Sequence, residues 1–273
     1  MPWGALILPH GFSSLARFRV RLHYGCRVEP SATSWDPAWD EVAAVCLLSA
    51  AYGVASMRLG TTRWRAFSFG AGMVLALAVL VTPLGTLATH YLLSAHLLQN
   101  VVLAEWAPAL AVLGLSPALA SRLSAFAPLR LLTRPFVALP LWVLTYAVWH
   151  VPGAYEAALT NPPLLRLEHL TYFLAGCCLW WPVFQSRPHA LPNGAKAAYL
   201  FAAFLLNSPV GLLLALLPSP IYGFYESAPR LWGLGPLTDQ QIAGVIMAGS
   251  EAIVFFGIFA VYVLRFLAEE EHA

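Results

Sequence analysis

Long apolar runs follow one another along almost the whole of this sequence, separated by short segments rich in proline and arginine. The runs cover residues 41–57, 66–82, 91–115, 136–150, 170–185, 197–217 and 242–266. A helix needs roughly 20 apolar residues to cross the hydrocarbon core of a bilayer. Only 10% of the residues are Asp, Glu, Lys or Arg, whereas a soluble domain carries about 25%. The sequence therefore predicts a membrane protein, because so few charges cannot cover a wetted surface.

The runs also indicate the fold class and the domain organisation. Backbone that faces lipid must satisfy its own hydrogen bonds, and these runs lack the alternation of barrel strands. We therefore predict an all-α polytopic helical bundle with about seven transmembrane helices in residues 39–268. An N-terminal tail (residues 1–38) and an acidic C-terminal tail (269–273) flank it. Residues 17–24 alternate polar and apolar, which favours a strand or a segment lying at the headgroup surface.

The basic residues predict the orientation. Most of those beyond the N-terminal tail fall in alternate loops, at Arg58, Arg63, Arg65, Arg122, Arg130, Arg134, Arg187, Lys196 and Arg265. The intervening loops hold Arg166 and Arg230. Because basic loops stay in the cytoplasm, we predict a multi-pass protein with its N-terminus outside and its C-terminus cytoplasmic. The arginines of the N-terminal tail favour the opposite orientation, but short loops report orientation better.

Several functional classes lack support in the sequence. No block of basic residues is present, so nucleic acid is not an expected partner. No Gly-rich phosphate loop, nucleophile elbow or HExxH motif occurs, which argues against a hydrolase or a nucleotide-driven transporter. We therefore expect a protein that is not an enzyme.

Histidines and carboxylates occur at one predicted depth of the bundle, near its outer side. They are His90, His96, His150, Glu168, His169 and Asp239. An ionisable residue inside a membrane span is costly and is typical of a functional site. His96 shares a helix face with Gln99 and Asn100. Short loops favour antiparallel neighbours, so His150 and His169 are expected to lie near each other.

The last run adds a stripe of residues spaced by four: Asp239, Ala243, Met247 and Glu251. Thioether and imidazole together suit copper(I). The alternative for Met247 is ordinary core packing, which is the commoner use of methionine. Glu105 also lies deep, on the side of its helix opposite to His96. It is a candidate for a proton relay or for a contact between helices.

Four motifs resemble one known family. HYLLSAHLLQNVVLAEWAPALAVLGLSP is similar to the signature helix of the polytopic CtaG-type cytochrome c oxidase assembly factors. WHVPGAYEAAL, LEHLTYFLAGCCLWWPVF and DQQIAGVIM follow in the order seen in that family. The similarity covers residues 36–266.

The resemblance implies a role in maturing a haem-copper oxidase in the bacterial plasma membrane, with the oxidase subunits as partners and copper as the bound metal. It carries over the positions His96, His150, His169, Asp239 and Met247, to which the residues themselves add His90. The chain departs from the family pattern in two places. Asn100 stands where the family commonly has His, and Ala248 replaces a Trp. An amide is a poor ligand for copper(I).

Three other interpretations stay open from the sequence. Pairs of histidines on neighbouring helices also serve as axial ligands of haem in electron carriers. Glu105, Glu251 and the helix break at residues 207–209 are compatible with a transporter for copper or protons. A scaffold that holds oxidase subunits without any metal would use the same histidines as structural contacts.

Overall fold

The computed structural model describes residues 30–35 and 38–271. This part of the chain is 81% helix and has no strand, which confirms the all-α prediction. The alternating segment at 17–24 lies outside the described residues. The helices are α1 (Trp39–Leu59), α2 (Arg63–Val81), α3 (Pro83–His90), α4 (Leu93–Gly114), α5 (Pro117–Leu123), α6 (Ala127–Leu132), α7 (Pro135–Trp149), α8 (Pro152–Thr160), α9 (Pro162–Phe184), α10 (Asn193–Leu216), α11 (Gly223–Ser227) and α12 (Pro236–Glu270).

Proline sets where many of these helices begin. It stands at the first helical position of α3, α5, α7, α8, α9 and α12. Proline suits this position because the amide hydrogen it lacks would have no intrahelical partner there. Thr82 separates α2 from α3, and its side-chain oxygen accepts a hydrogen bond from the amide of Leu84. These six prolines therefore mark real helix starts. The helix break predicted at residues 207–209 is wrong, because α10 continues through Pro209.

The number of spans differs from the predicted seven. Five helices are long and apolar enough to cross a membrane: α1, α2, α4, α10 and α12. Helices α7 and α8 form a sixth candidate if the pair, bent by 74°, counts as one broken span. Helix α9 has 23 residues but is less apolar, because it buries Glu168 and His169 inside the bundle. The count of seven is not confirmed.

Helix α4 forms the centre of the bundle. In its most apolar window 78% of the residues are buried, compared with none in that of α1. It packs against α2, α9 and α12, and its middle segment, Val102–Trp106, is π-helical. Gly176 allows the close approach of α9, since a Cβ there would lie 2.2 Å from the carbonyl oxygen of Ala104. This close packing fixes the face of α9 that carries Glu168.

Candidate metal pocket

Three of the predicted histidines are buried and are held in the same way. His96 Nδ1 lies 2.9 Å from the Tyr225 hydroxyl, and His150 Nδ1 lies 2.8 Å from the carbonyl oxygen of Tyr146. His169 Nδ1 lies 2.8 Å from the Glu41 carboxylate. In each ring Nε2 is buried and has no hydrogen-bond partner. The three side chains therefore share one pattern: Nδ1 is fixed by a hydrogen bond, and Nε2 has no hydrogen-bond partner.

The partners of Nδ1 determine which nitrogen carries the hydrogen in each neutral ring. A backbone carbonyl and a carboxylate can only accept, so Nδ1 is the donor in His150 and His169. The Tyr225 hydroxyl gives its own hydrogen to the carbonyl oxygen of Ala88, at 2.5 Å, and so accepts from His96. Burial raises the pKa of Tyr225 well above its usual range, so the phenol keeps that hydrogen. In the neutral form of each ring, Nε2 would therefore present a lone pair, as a metal ligand must.

Glu168 lies among these histidines. One of its oxygens is 3.7 Å from His96 Nε2 and accepts a hydrogen bond from the Asn100 amide at 3.1 Å. Its other oxygen is buried without a partner. The carboxylate interacts electrostatically with His96, His150 and His169. The sequence predicts Glu168 at the same depth as the histidines, but its close approach to His96 follows from the packing of α9 on α4.

Tyrosines close the pocket on the side of α8 and α11. The Tyr155 ring centroid lies 4.9 Å from that of His96 and 6.2 Å from that of His150. Tyr222 packs on Tyr155 at 4.3 Å and donates a hydrogen bond to the backbone carbonyl of His150 at 3.0 Å. Burial also raises the pKa of Tyr222, which therefore stays neutral. These rings exclude water from the imidazoles.

The other three predicted ligands lie in different surroundings. Asp239 accepts hydrogen bonds from the amides of Leu93 and Ser94, at 2.7 and 3.1 Å, and from the Ser94 hydroxyl at 2.5 Å. It thus caps the N-terminus of α4. Met247 is part of the main hydrophobic core. His90 Nδ1 contacts the Thr89 hydroxyl at 2.8 Å.

The structure thus places Glu168 3.7 Å from His96 and within electrostatic range of His150, and His169 is the next residue of α9. Among the described residues, no three His, Cys, Asp or Glu side chains are yet close enough to hold one ion. Sequence reasoning missed Tyr225 and Glu41, which orient two of the rings. A tyrosine and a glutamate near helix ends carry no sequence signal for this role.

These observations define a class: a polytopic membrane helical bundle with a buried histidine and carboxylate pocket near one end of its central helix. The comparison with known families is more specific. The chain belongs to the cytochrome c oxidase caa3 assembly factor family, whose model matches residues 50–269. The resemblance seen in the sequence is thereby confirmed. No curated protein and no solved structure matches significantly.

The residues matched by the family model include most of the residues that form the pocket. The matched range contains all three histidines and Glu168, together with Tyr225. Glu41, which fixes His169, lies before the matched range. The orientation of His169 therefore depends on a residue outside the part of the chain that defines the family.

Proposed function

We propose that this assembly factor binds copper in the pocket around Glu168 and passes it to a haem-copper oxidase during assembly. Copper is the cargo in this proposal, and His96, His150 and Glu168 hold it, with His169 as the fourth ligand. The observation that carries the proposal is the common state of the three imidazoles. Each has Nδ1 fixed by a partner and a buried Nε2 without a hydrogen-bond partner.

This arrangement is the one expected around a bound transition metal. Histidine ligands almost always donate their other N–H to a carboxylate, a carbonyl or a similar acceptor, which orients the ring. A buried polar atom without a partner otherwise costs about 1–3 kcal/mol, and the pocket holds four of them on Glu168 and the histidines. A bound metal ion would supply partners for these atoms once the pocket brings them closer together than they now lie.

The donor set limits the choice of metal. Imidazole suits copper, zinc, iron and nickel alike, and affinity generally rises toward copper. The family assembles a copper-containing oxidase, which favours copper as the cargo. Because the rings are too far apart for one ion as they stand, we expect the pocket to contract when the metal binds.

Transfer of copper to the oxidase requires that the pocket lie on the side of the membrane at which the oxidase receives copper. The basic loops favour an extracytoplasmic location for the pocket, since they lie at the opposite ends of the spans. A reporter fused to the C-terminus tests this orientation, and it should be active only in the cytoplasm. Activity outside would place the pocket on the inner side.

Metal analysis of the purified protein tests the proposal. We expect about one copper per chain after loading with copper(I), and a loss of most of it in the double variant His96→Ala/His150→Ala. His189→Ala is the control, because His189 lies in the loop after α9 and contacts the Arg130 carbonyl. Unchanged copper in the double variant would remove the pocket as the site. A Soret absorption band in the purified protein would favour haem instead.

A further inference from the structure

A second buried polar cluster lies at the centre of the bundle, apart from the histidine pocket. Glu105 belongs to the π-helical segment of α4, and Glu251 lies near the middle of α12. Both side chains are fully buried and interact electrostatically with each other. Neither forms an ion pair with Lys, Arg or His within the described parts of the chain. Two uncompensated carboxylates in the middle of a membrane protein would be very costly.

The hydrogen bonds distinguish the two carboxyl groups. Glu251 accepts one bond at each oxygen, from the Asn207 amide at 2.5 Å and from the Ser208 hydroxyl at 3.1 Å. Glu105 accepts one bond, from the Tyr146 hydroxyl at 2.8 Å, and its Oε2 is buried without a partner. The carbonyl oxygen of Asn207, on the amide that contacts Glu251, also has no partner. The cluster therefore lacks one hydrogen-bond donor at Glu105 Oε2 and another at the Asn207 carbonyl oxygen.

We propose that Glu105 carries an exchangeable proton and forms, with Glu251, a proton-binding site at the centre of the bundle. One proton on Oε2 supplies the missing donor and removes one of the two negative charges. A hard metal cation would need six or more oxygen ligands, whereas the pair offers four carboxyl oxygens, three of which already accept hydrogen bonds. The site does not depend on copper binding.

The surroundings leave few other groups that can titrate. Tyr146 from α7 contacts Glu105, and Tyr172 from α9 packs on Tyr146 at 5.1 Å between ring centroids. Asn207 and Ser208 from α10 do not titrate. Tyr146 also accepts, at its backbone carbonyl, the hydrogen bond from His150 Nδ1. It therefore joins the proton site to the histidine pocket, although neither site needs the other to form.

Infrared difference spectroscopy of the full chain in lipid nanodiscs tests the proposal. A protonated carboxylic acid gives a carbonyl band that shifts in D₂O, and we expect this band in the wild type at neutral pH. The band should disappear in Glu105→Gln and persist in Glu226→Gln, the control, because Glu226 is exposed on α11. Absence of the band from the wild type, or its persistence in Glu105→Gln, would overturn the proposal.

A second variant covers the case in which Glu105→Gln does not fold. Tyr146→Phe keeps the ring and removes only the hydrogen bond to Glu105. We expect the acid band to remain and to move to higher frequency, because its carbonyl oxygen loses a donor. An unmoved band in folded Tyr146→Phe would place the proton elsewhere. A band that appears only after sodium is removed would assign the site to a sodium ion and would also overturn the proposal.

Discussion

Asp239 and His96 lie at the same end of the central helix, and their sequence patterns make both candidate metal ligands, but their side chains are in opposite states. Asp239 accepts three hydrogen bonds from Leu93 and Ser94, so both of its oxygens are occupied. His96 has one nitrogen fixed by Tyr225 and the other buried without a partner. Residue type and depth therefore do not show which polar atoms are already satisfied. In the proposed copper site, the ligand would be the buried nitrogen without a partner, on a ring held in a fixed orientation.

The largest expected effect is on stability, at Asp239. Asp239→Ala leaves two amides and a hydroxyl at the start of α4 without their acceptor, so we expect a loss of about 3 kcal/mol of unfolding free energy. Chemical denaturation in detergent, followed by circular dichroism, measures it. Copper bound per folded molecule should stay unchanged. A variant of normal stability that loses copper would indicate that Asp239 is a ligand, like His96, and not only a cap of α4.

Glu41 provides the next test, because it orients His169 without belonging to the proposed ligand set. Removing a group that orients a metal-bound histidine costs about 10–100-fold in metal affinity. We therefore expect Glu41→Ala to weaken copper(I) binding within that range, as measured by competition with a chelator of known affinity. Glu41→Gln should recover part of the loss, since its amide oxygen can still accept from Nδ1.

The neighbouring residue is the matched control for Glu41. Asp40 forms a 2.7 Å ion pair with Arg166 on the half-exposed surface, and such pairs contribute about 0–1 kcal/mol to stability. Asp40→Ala should leave copper affinity unchanged. Equal losses in both variants would indicate that the acidic end of α1 acts through its charge rather than through His169.

Tyr225→Phe tests the same principle at His96. The substitution keeps the ring and removes the oxygen that accepts from Nδ1, so we expect about a tenfold loss of copper affinity. The Ala88 carbonyl also loses its donor, which should lower stability by about 1 kcal/mol. An unchanged affinity, measured by the same competition, would show that Nδ1 does not orient His96 for a metal.

The smallest effect is expected at Met247. Its thioether packs in the hydrophobic core, and a swap of similar volume usually costs less than about 1.5 kcal/mol. Met247→Leu should therefore change thermal stability slightly and copper binding not at all. A clear loss of copper(I) in this variant would return the thioether to the ligand set, as the helical stripe in the sequence predicts.

The helical class and the approximate positions of the long helices could be predicted, because apolar runs mark them locally. The short helices α3, α5, α6, α8 and α11 could not, because they lie outside these runs. Which of the polar residues have an atom left for a ligand could not be predicted, because this depends on the hydrogen bonds that each side chain makes in the folded structure. Asp239 and His96 are equivalent by depth and type. Only the packing of α12 against α4 places the Asp239 carboxylate on the amides of Leu93 and Ser94. The predicted number of seven spans is not confirmed, because polar residues lower the hydropathy of α9 and because α7 and α8 are bent by 74°.

X-ray absorption spectroscopy of the copper-loaded protein reports the copper ligands themselves. We expect a first coordination shell of nitrogen and oxygen atoms, with the outer scattering of imidazole rings. One ring should be lost in each of His96→Ala and His150→Ala. A shell dominated by sulfur, or an imidazole signal that survives both substitutions, would exclude His96 and His150 as the copper ligands.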